Sequence, residues 1–380
     1  MTAPMPDPVW IDTDDQLAQA ADRWLQADAV AVDTEFVRTQ TFYADPGLIQ
    51  VSDGQQVWLL DPIAISDFSP LAQLFSASGV VKVFHSCSED LELLMRLVGV
   101  VPRPLFDSQL AAAFAGLGFS MGYQRLVSEL LGLELPKDET RSNWCHRPLT
   151  GSQLHYAALD VYYLMQVYRL LNERLQQAQK LTWVLEEGET LASAAEAPVA
   201  IEEYYRQVKV AWKLFPDQLA VLRSLCTWRE ERARARNLPR SRVVRDSVLW
   251  DMAKYLPTTL NQLKRIPDIP QSILQREGEQ LLQRIEAALA DKDAYPSRLP
   301  FPLPASTKPI VKRIREFARE RATQLNVEPE LLVKKKQIDA LIQGALKPSQ
   351  RFSLPPILAG WRAEAFANEL VETLNNEFKS

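Results

Sequence analysis

The sequence predicts an α/β domain, a mixed sheet flanked by helices, followed by two all-helical domains. Three observations predict this. Strand-like segments alternate with amphipathic ones as far as about residue 180. From Leu181 onward the strand signals stop. Within the helical remainder, two blocks repeat each other at an offset of 89 positions, a pattern that marks a duplicated unit. At 380 residues the chain has room for two or three cores.

Thr13-Asp-Asp-Gln16 is a capping box that opens a helix to about Ala27. Ala29–Phe36 reads as a strand, and Leu48–Ser52 and Gln56–Leu60 as two more. Asp53-Gly54 marks the turn between the last two, so an antiparallel meander is expected. Val80–His85 is a fourth strand. A second capping box, Ser86-Cys-Ser-Glu89, opens a helix to about Leu97. The short apolar run Leu105–Asp107 leads into a helix through Phe114, and Tyr123–Leu131 is helical. Glu134–Leu149 is a polar loop, and Thr150 to about Gln179 carries long helical periodicity.

Glu186–Ala200, rich in Ala and Glu, reads as a connection to the helical region, and five prolines between 296 and 309 form a semi-rigid linker. In the repeat, Glu231-Arg232-Ala233 matches Glu320-Arg321-Ala322, Asn237 matches Asn326, and Leu249 matches Ile338. The expected domains are therefore 1–190, 210–294 and 310–380, with 295–309 as the linker.

The chain is 47% hydrophobic and 24% charged, which excludes disordered, collagen-like and membrane-spanning classes. Its net charge of −5 conceals a split. Residues 1–190 carry 12 basic and 25 acidic residues, a net of −13, whereas the rest carry 31 and 23, a net of +8. An acidic front half can house cations, and a basic back half can hold a polyanion. Cys87, Cys145 and Cys226 form no CxxC pair, and the first residues lack the features of a signal peptide, so a reducing, cytoplasmic setting is expected.

Asp33 and Glu35 sit two apart on an otherwise apolar strand and so project from one face. Like charges side by side on an apolar strand repel unless a cation or protons neutralise them; the alternative is that the pair faces solvent at a strand end. Asp90 falls in the first turn of a helix, where the helix dipole favours a carboxylate in any case. Tyr156 and Asp160 are spaced i, i+4 and share a helix face. Four carboxylates with no thiol or imidazole cluster suit Mg2+ or Mn2+ better than zinc.

Asp33-Thr34-Glu35, Phe84-His-Ser-Cys-Ser-Glu-Asp-Leu91 and Tyr156-Ala-Ala-Leu-Asp160 resemble, in order, the three motifs of the DEDD exonuclease superfamily. Leu105–Phe114 and Arg141–Leu149 resemble the ribonuclease D family in particular, and the two helical blocks resemble HRDC domains. The resemblance covers nearly the whole chain. It implies a ribonuclease H-like sheet holding two divalent cations. Asp33, Glu35 and Asp160 would ligate one ion, Asp33 would bridge to the second, and Asp90 would complete the site. It implies a 3′-5′ exoribonuclease that releases nucleoside 5′-monophosphates from RNA, with tRNA precursors bearing single-stranded 3′ tails as the substrate class. A DNA-directed exonuclease and a non-catalytic RNA-binding protein are the alternatives.

One branch of the superfamily orients the attacking water with a Tyr four residues before the last Asp, another with a His five before it, and Tyr156 and His155 occupy both places. At 100° per residue Tyr156 lies about 40° around the helix from Asp160 and His155 about 140°, which favours Tyr156. His85 reads as a packed core histidine. Arg141, Trp144 and Arg147 could meet the scissile end, with guanidinium groups on phosphates and the indole on a base. The run Arg229, Arg232, Arg234, Arg236, Arg240, Arg242 and Arg245, with Arg232 and Arg236 foremost, could grip phosphates; interleaved Glu230 and Glu231 could instead pair with it inside the helix.

Overall fold

The computed structural model describes residues 5–136, 139, 142–346 and 351–378. Its elements run β1 (Val9–Ile11), α1 (Asp14–Trp24), β2 (Ala29–Val37), β3 (Asp45–Ser52), β4 (Val57–Leu60), α2 (Ser69–Ser76), β5 (Val81–Phe84), α3 (Ser88–Val98), β6 (Leu105–Asp107), α4 (Ser108–Phe114), α5 (Tyr123–Leu131), α6 (Gly151–Gln177) and α7 (Leu181–Glu196). The helical remainder holds α8 (Pro216–Ala235), α9 (Arg240–Val243), α10 (Asp246–Tyr255), α11 (Leu260–Leu263), α12 (Gln271–Ala290), α13 (Lys308–Leu325), α14 (Pro329–Leu332), α15 (Lys335–Ala345) and α16 (Asn368–Glu377).

The sheet is mixed, in the order β1-β4-β3-β2-β5-β6. The meander β2-β3-β4 is antiparallel, while β1, β5 and β6 pair in parallel with their neighbours. Alternation along the strands divides the interior. Val30, Val32, Ile49 and Val51 pack beneath α1, α2 and α3. Ala29, Ala31, Leu48 and Leu59 face α4, α5 and the long α6, which a Thr150/Gln153 capping box starts.

Four sequence expectations change. β1 is a strand that no local pattern announces, because it is held by parallel pairing with the distant β4. The helix α2, Ser69–Ser76, is likewise new. Residues 186–196 are not a connection but the greater part of α7, which packs on β6. There Gly188 lies so close that a Cβ would meet the Leu105 carbonyl oxygen at 2.1 Å. The box at Ser86 does not cap α3, because Ser86 adopts φ 60° and the helix starts at Ser88 with no side-chain cap. Instead the Asp107 carboxylate accepts from the Ser86 and Cys87 amides at 3.2 and 3.0 Å while also capping α4.

The chain forms two compact units. One comprises residues 1–37, 45–197 and 303–380, the other 38–44 and 198–302. In the first, the later helical block joins the sheet domain. Trp361 stacks on Trp183 with centroids 5.0 Å apart, Arg362 pairs with Glu187 at 2.5 Å, and buried Lys180 donates to the carbonyls of Phe114 and Asn326 at 3.1 and 2.8 Å. In the second, α8, α9, α10 and α12 surround Leu222, Leu225, Trp228 and Leu249. The amides of Phe42 and Tyr43 there donate to Asn237 Oδ1 at 3.0 and 2.9 Å. The duplication reaches single dihedrals. α9 and α14, and α10 and α15, begin 89 residues apart. The matched Asn237 and Asn326 both take the left-handed conformation, φ 49° and 48°, that asparagine tolerates after a helix.

Candidate active site

β2 places Asp33 and Glu35 on its α6-facing side, and the helix presents Asp160 across from them. One carboxylate oxygen from each of the three lies within 4.8 Å of the others. A bulge follows at Glu35/Phe36, where the β2 strand turns away from its regular register. Thr34 points to the opposite side of β2, and its hydroxyl donates a short hydrogen bond to Asp90 in the first turn of α3. Tyr156, one turn before Asp160, hydrogen-bonds the Asp160 carboxylate. Tyr123 of α5 donates to the Asp160 carbonyl, tying that turn of α6 down. All five predicted residues line one cavity of about 860 Å³, which suits a ligand the size of nucleotides. His155 does not line it; it is exposed on another side of α6.

Electrostatics make the site costly as bare protein. Burial, then the repulsion of Asp160 and Asp90, pushes Glu35 up to about 9. Burial and the charges of Asp90, Asp160 and Glu35 hold Asp33 well above its ordinary range. Burial raises Asp160 to about 7, against the opposing Tyr156 hydrogen bond, and Asp90 to about 6, against that from Thr34. An all-oxygen donor set that is unfavourable without positive charge fits hard divalent cations. The Tyr156 hydroxyl is itself raised by burial and by Asp160, Glu35 and Asp33, and so keeps its proton.

Several side chains escaped the sequence reading. Gln50, opposite Asp33 across β2 and β3, is wholly buried with neither amide atom hydrogen-bonded. Arg125 is the one lysine or arginine lining the cavity among the described residues. Arg125 stands in an unremarkable amphipathic helix, so no local signal marks it. His85, expected as a packed core histidine, is packed with Nδ1 2.8 Å from Ser108 Oγ and also lines the cavity; burial lowers its pKa, keeping the ring neutral.

The expected RNA contacts need correction. Arg141 lies outside the described residues. Trp144 is 1% exposed and cannot stack a base; it packs behind Tyr156 with ring centroids 6.2 Å apart, its Cβ pressed against Gly47. Arg147 is committed to the protein. It grips Asp61 with two bonds of 2.8 and 2.6 Å and donates to the Gly47 and Trp144 carbonyls at 2.6 and 2.8 Å. The arginine run is largely spent on two buried glutamates. Glu277 takes Arg232 at 2.7 Å and Arg236 at 3.6 Å, while Glu230 takes Arg234 and Arg240 at 2.9 and 2.5 Å. Arg229 is buried against Asp246.

A mixed six-stranded sheet with acidic side chains gathered at its central strand and a facing helix defines a 3′-5′ exonuclease that uses divalent metal. The 3′-5′ exonuclease family matches residues 8–176, the HRDC domain residues 218–285, and the ribonuclease D C-terminal HRDC domain residues 306–370. Ribonuclease D of Pseudomonas paraeruginosa is 45% identical over 372 residues, 98% of each chain. That of Escherichia coli is 36% identical over 363 residues, 95% of this chain and 96% of its own. The crystal structure of Escherichia coli RNase D superposes with a TM-score of 0.90 at 34% identity, covering 99% of this chain and 100% of that one. The chain belongs to the ribonuclease D family and is an exoribonuclease. No helix among the described residues is long and apolar enough to cross a membrane.

Proposed function

We propose that the protein trims the 3′ ends of structured RNAs, tRNA precursors among them, by hydrolysis at a two-cation site of Mg2+ or Mn2+, releasing nucleoside 5′-monophosphates. The observation that carries this reading is the convergence of Asp33, Glu35 and Asp160 within 4.8 Å. Asp90, whose charge raises both Asp33 and Glu35, would complete the set. Two divalent ions, when bound, supply the positive charge that activates the attacking water and stabilises the leaving oxygen.

The chain's own residues do the rest. Asp33, Glu35, Asp90 and Asp160 would hold the ions. Tyr156, protonated and already bonded to Asp160, orients the water by hydrogen bonding and does not act as its base. The water oxygen bonds to the terminal phosphorus, the bond to the 3′ oxygen of the preceding nucleotide breaks, and that oxygen leaves with a proton. The cavity accepts an unpaired 3′ end, with Arg125 on its wall facing the phosphates. Ribonuclease D of Escherichia coli is described as an exoribonuclease involved in structured RNA processing, which supports the substrate class. The exonuclease part would span 1–190 and the helical domains 210–294 and 310–380, in keeping with the matched ranges.

The test is a 3′-extended tRNA incubated with the protein, with and without EDTA. Stepwise 3′ shortening to 5′-monophosphates, abolished by EDTA, is expected. EDTA-resistant or internal cleavage would contradict the reading.

A further inference from the structure

Five of the seven arginines in the run pair with Glu230, Glu277 or Asp246, which leaves the grip of residues 198–302 on RNA to draw chiefly on other cations. We propose that it is a face built from Phe215, Tyr255 and Phe301, where unpaired bases stack on the rings and phosphates meet Lys213, Lys254 and Arg298. This rests on the reading of the protein as an exoribonuclease of tailed, structured RNA and names the surface that would hold such a substrate.

The three rings are 56, 59 and 54% exposed, a large share for aromatic side chains that ordinarily bury most of their area. They are gathered rather than scattered. Arg298 lies 4.2 Å over the Phe215 ring and 5.9 Å from that of Phe301, which in turn meets Trp212 edge-on at 5.5 Å. The Gln218 side chain joins Phe215 to the end of α10, accepting from the Phe215 amide at 2.9 Å and donating to the Lys254 carbonyl at 3.0 Å beside Tyr255. Each cation rests on a ring. Lys213 is 5.4 Å from Trp212, and Lys254 is 4.9 Å from Tyr255 and 5.0 Å from Trp250.

What separates these cations from the arginine run is that none of the three makes an ion pair among the described residues. They are charges held in place by rings, still able to meet an external anion. Exposed rings interleaved with uncommitted cations match single-stranded nucleic acid, whose bases all offer a π-face and whose backbone carries a phosphate at every step. An apolar protein partner would need the rings but not the cations.

The test measures affinity in EDTA, by fluorescence anisotropy, for an RNA hairpin carrying a 3′ tail of about ten nucleotides, long enough to cross such a platform. Two variants of the full chain are compared with the parent. Replacing Phe215, Tyr255 and Phe301 together by Ser should weaken binding about tenfold or more, within what ring stacking supplies. Replacing Lys213, Lys254 and Arg298 together by Gln should lower the slope of log affinity against log salt by about 2, near 0.7 for each lost contact on a single strand. The second variant leaves every ring in place, so it reads the surface even if the first unfolds. In Mg2+, the preference for the tailed hairpin over a short unpaired RNA should fall with affinity. Unchanged affinity and slope overturn the proposal while parental hydrolysis of the short RNA leaves the exoribonuclease reading standing. A parent that degrades neither RNA overturns that reading instead.

Discussion

Replacing Glu35 by Gln should make the metal-free protein more stable at pH 8 while removing its activity. The folded protein holds the Glu35 carboxyl at about 9, from an ordinary 4.5, because burial and the charges of Asp160 and Asp90 oppose ionisation. An acid raised in the folded state keeps a proton there that the unfolded chain has already released, so stability falls as pH climbs from about 4 towards 9. At 1.36 kcal/mol per unit, the 3.5 units between 4.5 and pH 8 cost about 4–5 kcal/mol, an upper limit because the neighbouring carboxyls share the strain. Near pH 5 the same arithmetic leaves below about 1 kcal/mol. Gln cannot ionise and escapes the cost. Urea unfolding of parent and variant in EDTA at the two pH values reads the difference. Mg2+ should stabilise the parent more at pH 8 than at pH 5 and the variant little at either. If Glu35→Gln destabilises equally at both pH values, or the parent in EDTA is equally stable at both, the argument for a strained carboxylate cluster fails.

Four further outcomes follow from the geometry. In single-turnover assays Tyr156→Phe should lower the rate by about a hundredfold, the usual scale for losing a positioned hydroxyl, and His155→Ala, on another side of α6, should change it little; the reverse order would reassign the water to His155. Arg125→Ala should raise KM for RNA at unchanged kcat and flatten the salt dependence by about 0.7, whereas a fall in kcat at unchanged KM would place Arg125 at the reacting bond. Gln50→Met should raise metal-free stability by about 1 kcal/mol in urea unfolding, since both atoms of the buried amide lack partners; a loss of that size would mean the amide is satisfied in solution. Gly188→Ala should cost about 2 kcal/mol or more, because its Cβ would stand 2.1 Å from the Leu105 carbonyl oxygen, and a thermal scan matching the parent would show that α7 can lift away from β6.

The carboxylates and Tyr156 were legible in the sequence because their signal is local. Two acids two apart on an apolar strand share a face, Tyr156 and Asp160 one turn apart share another, and neighbouring carboxylates repel unless cations, protons or solvent relieve them. The helical duplication was legible for a similar reason, since matched residues at a fixed offset need no knowledge of the fold. Others were not: α2 starts with no side-chain cap to announce it, and β1 is held by pairing with β4, some fifty positions away in the chain.

The polar residues between the motifs show the division most clearly. Sequence alone determined the chemistry available, an acidic centre for divalent cations and a surplus of basic side chains in the helical half. Only the tertiary structure decided which cations are free. Nothing local distinguishes Arg147 or Arg232 from a phosphate-binding arginine, yet Asp61 holds the first from 86 residues away and Glu277 the second from 45. The exposed lysines and the arginine beside Phe215, Tyr255 and Phe301 carry no distinguishing pattern in the chain. A guanidinium's charge is written in its own residue, but whether it meets solvent or a buried carboxylate depends on which distant segment the fold brings against it.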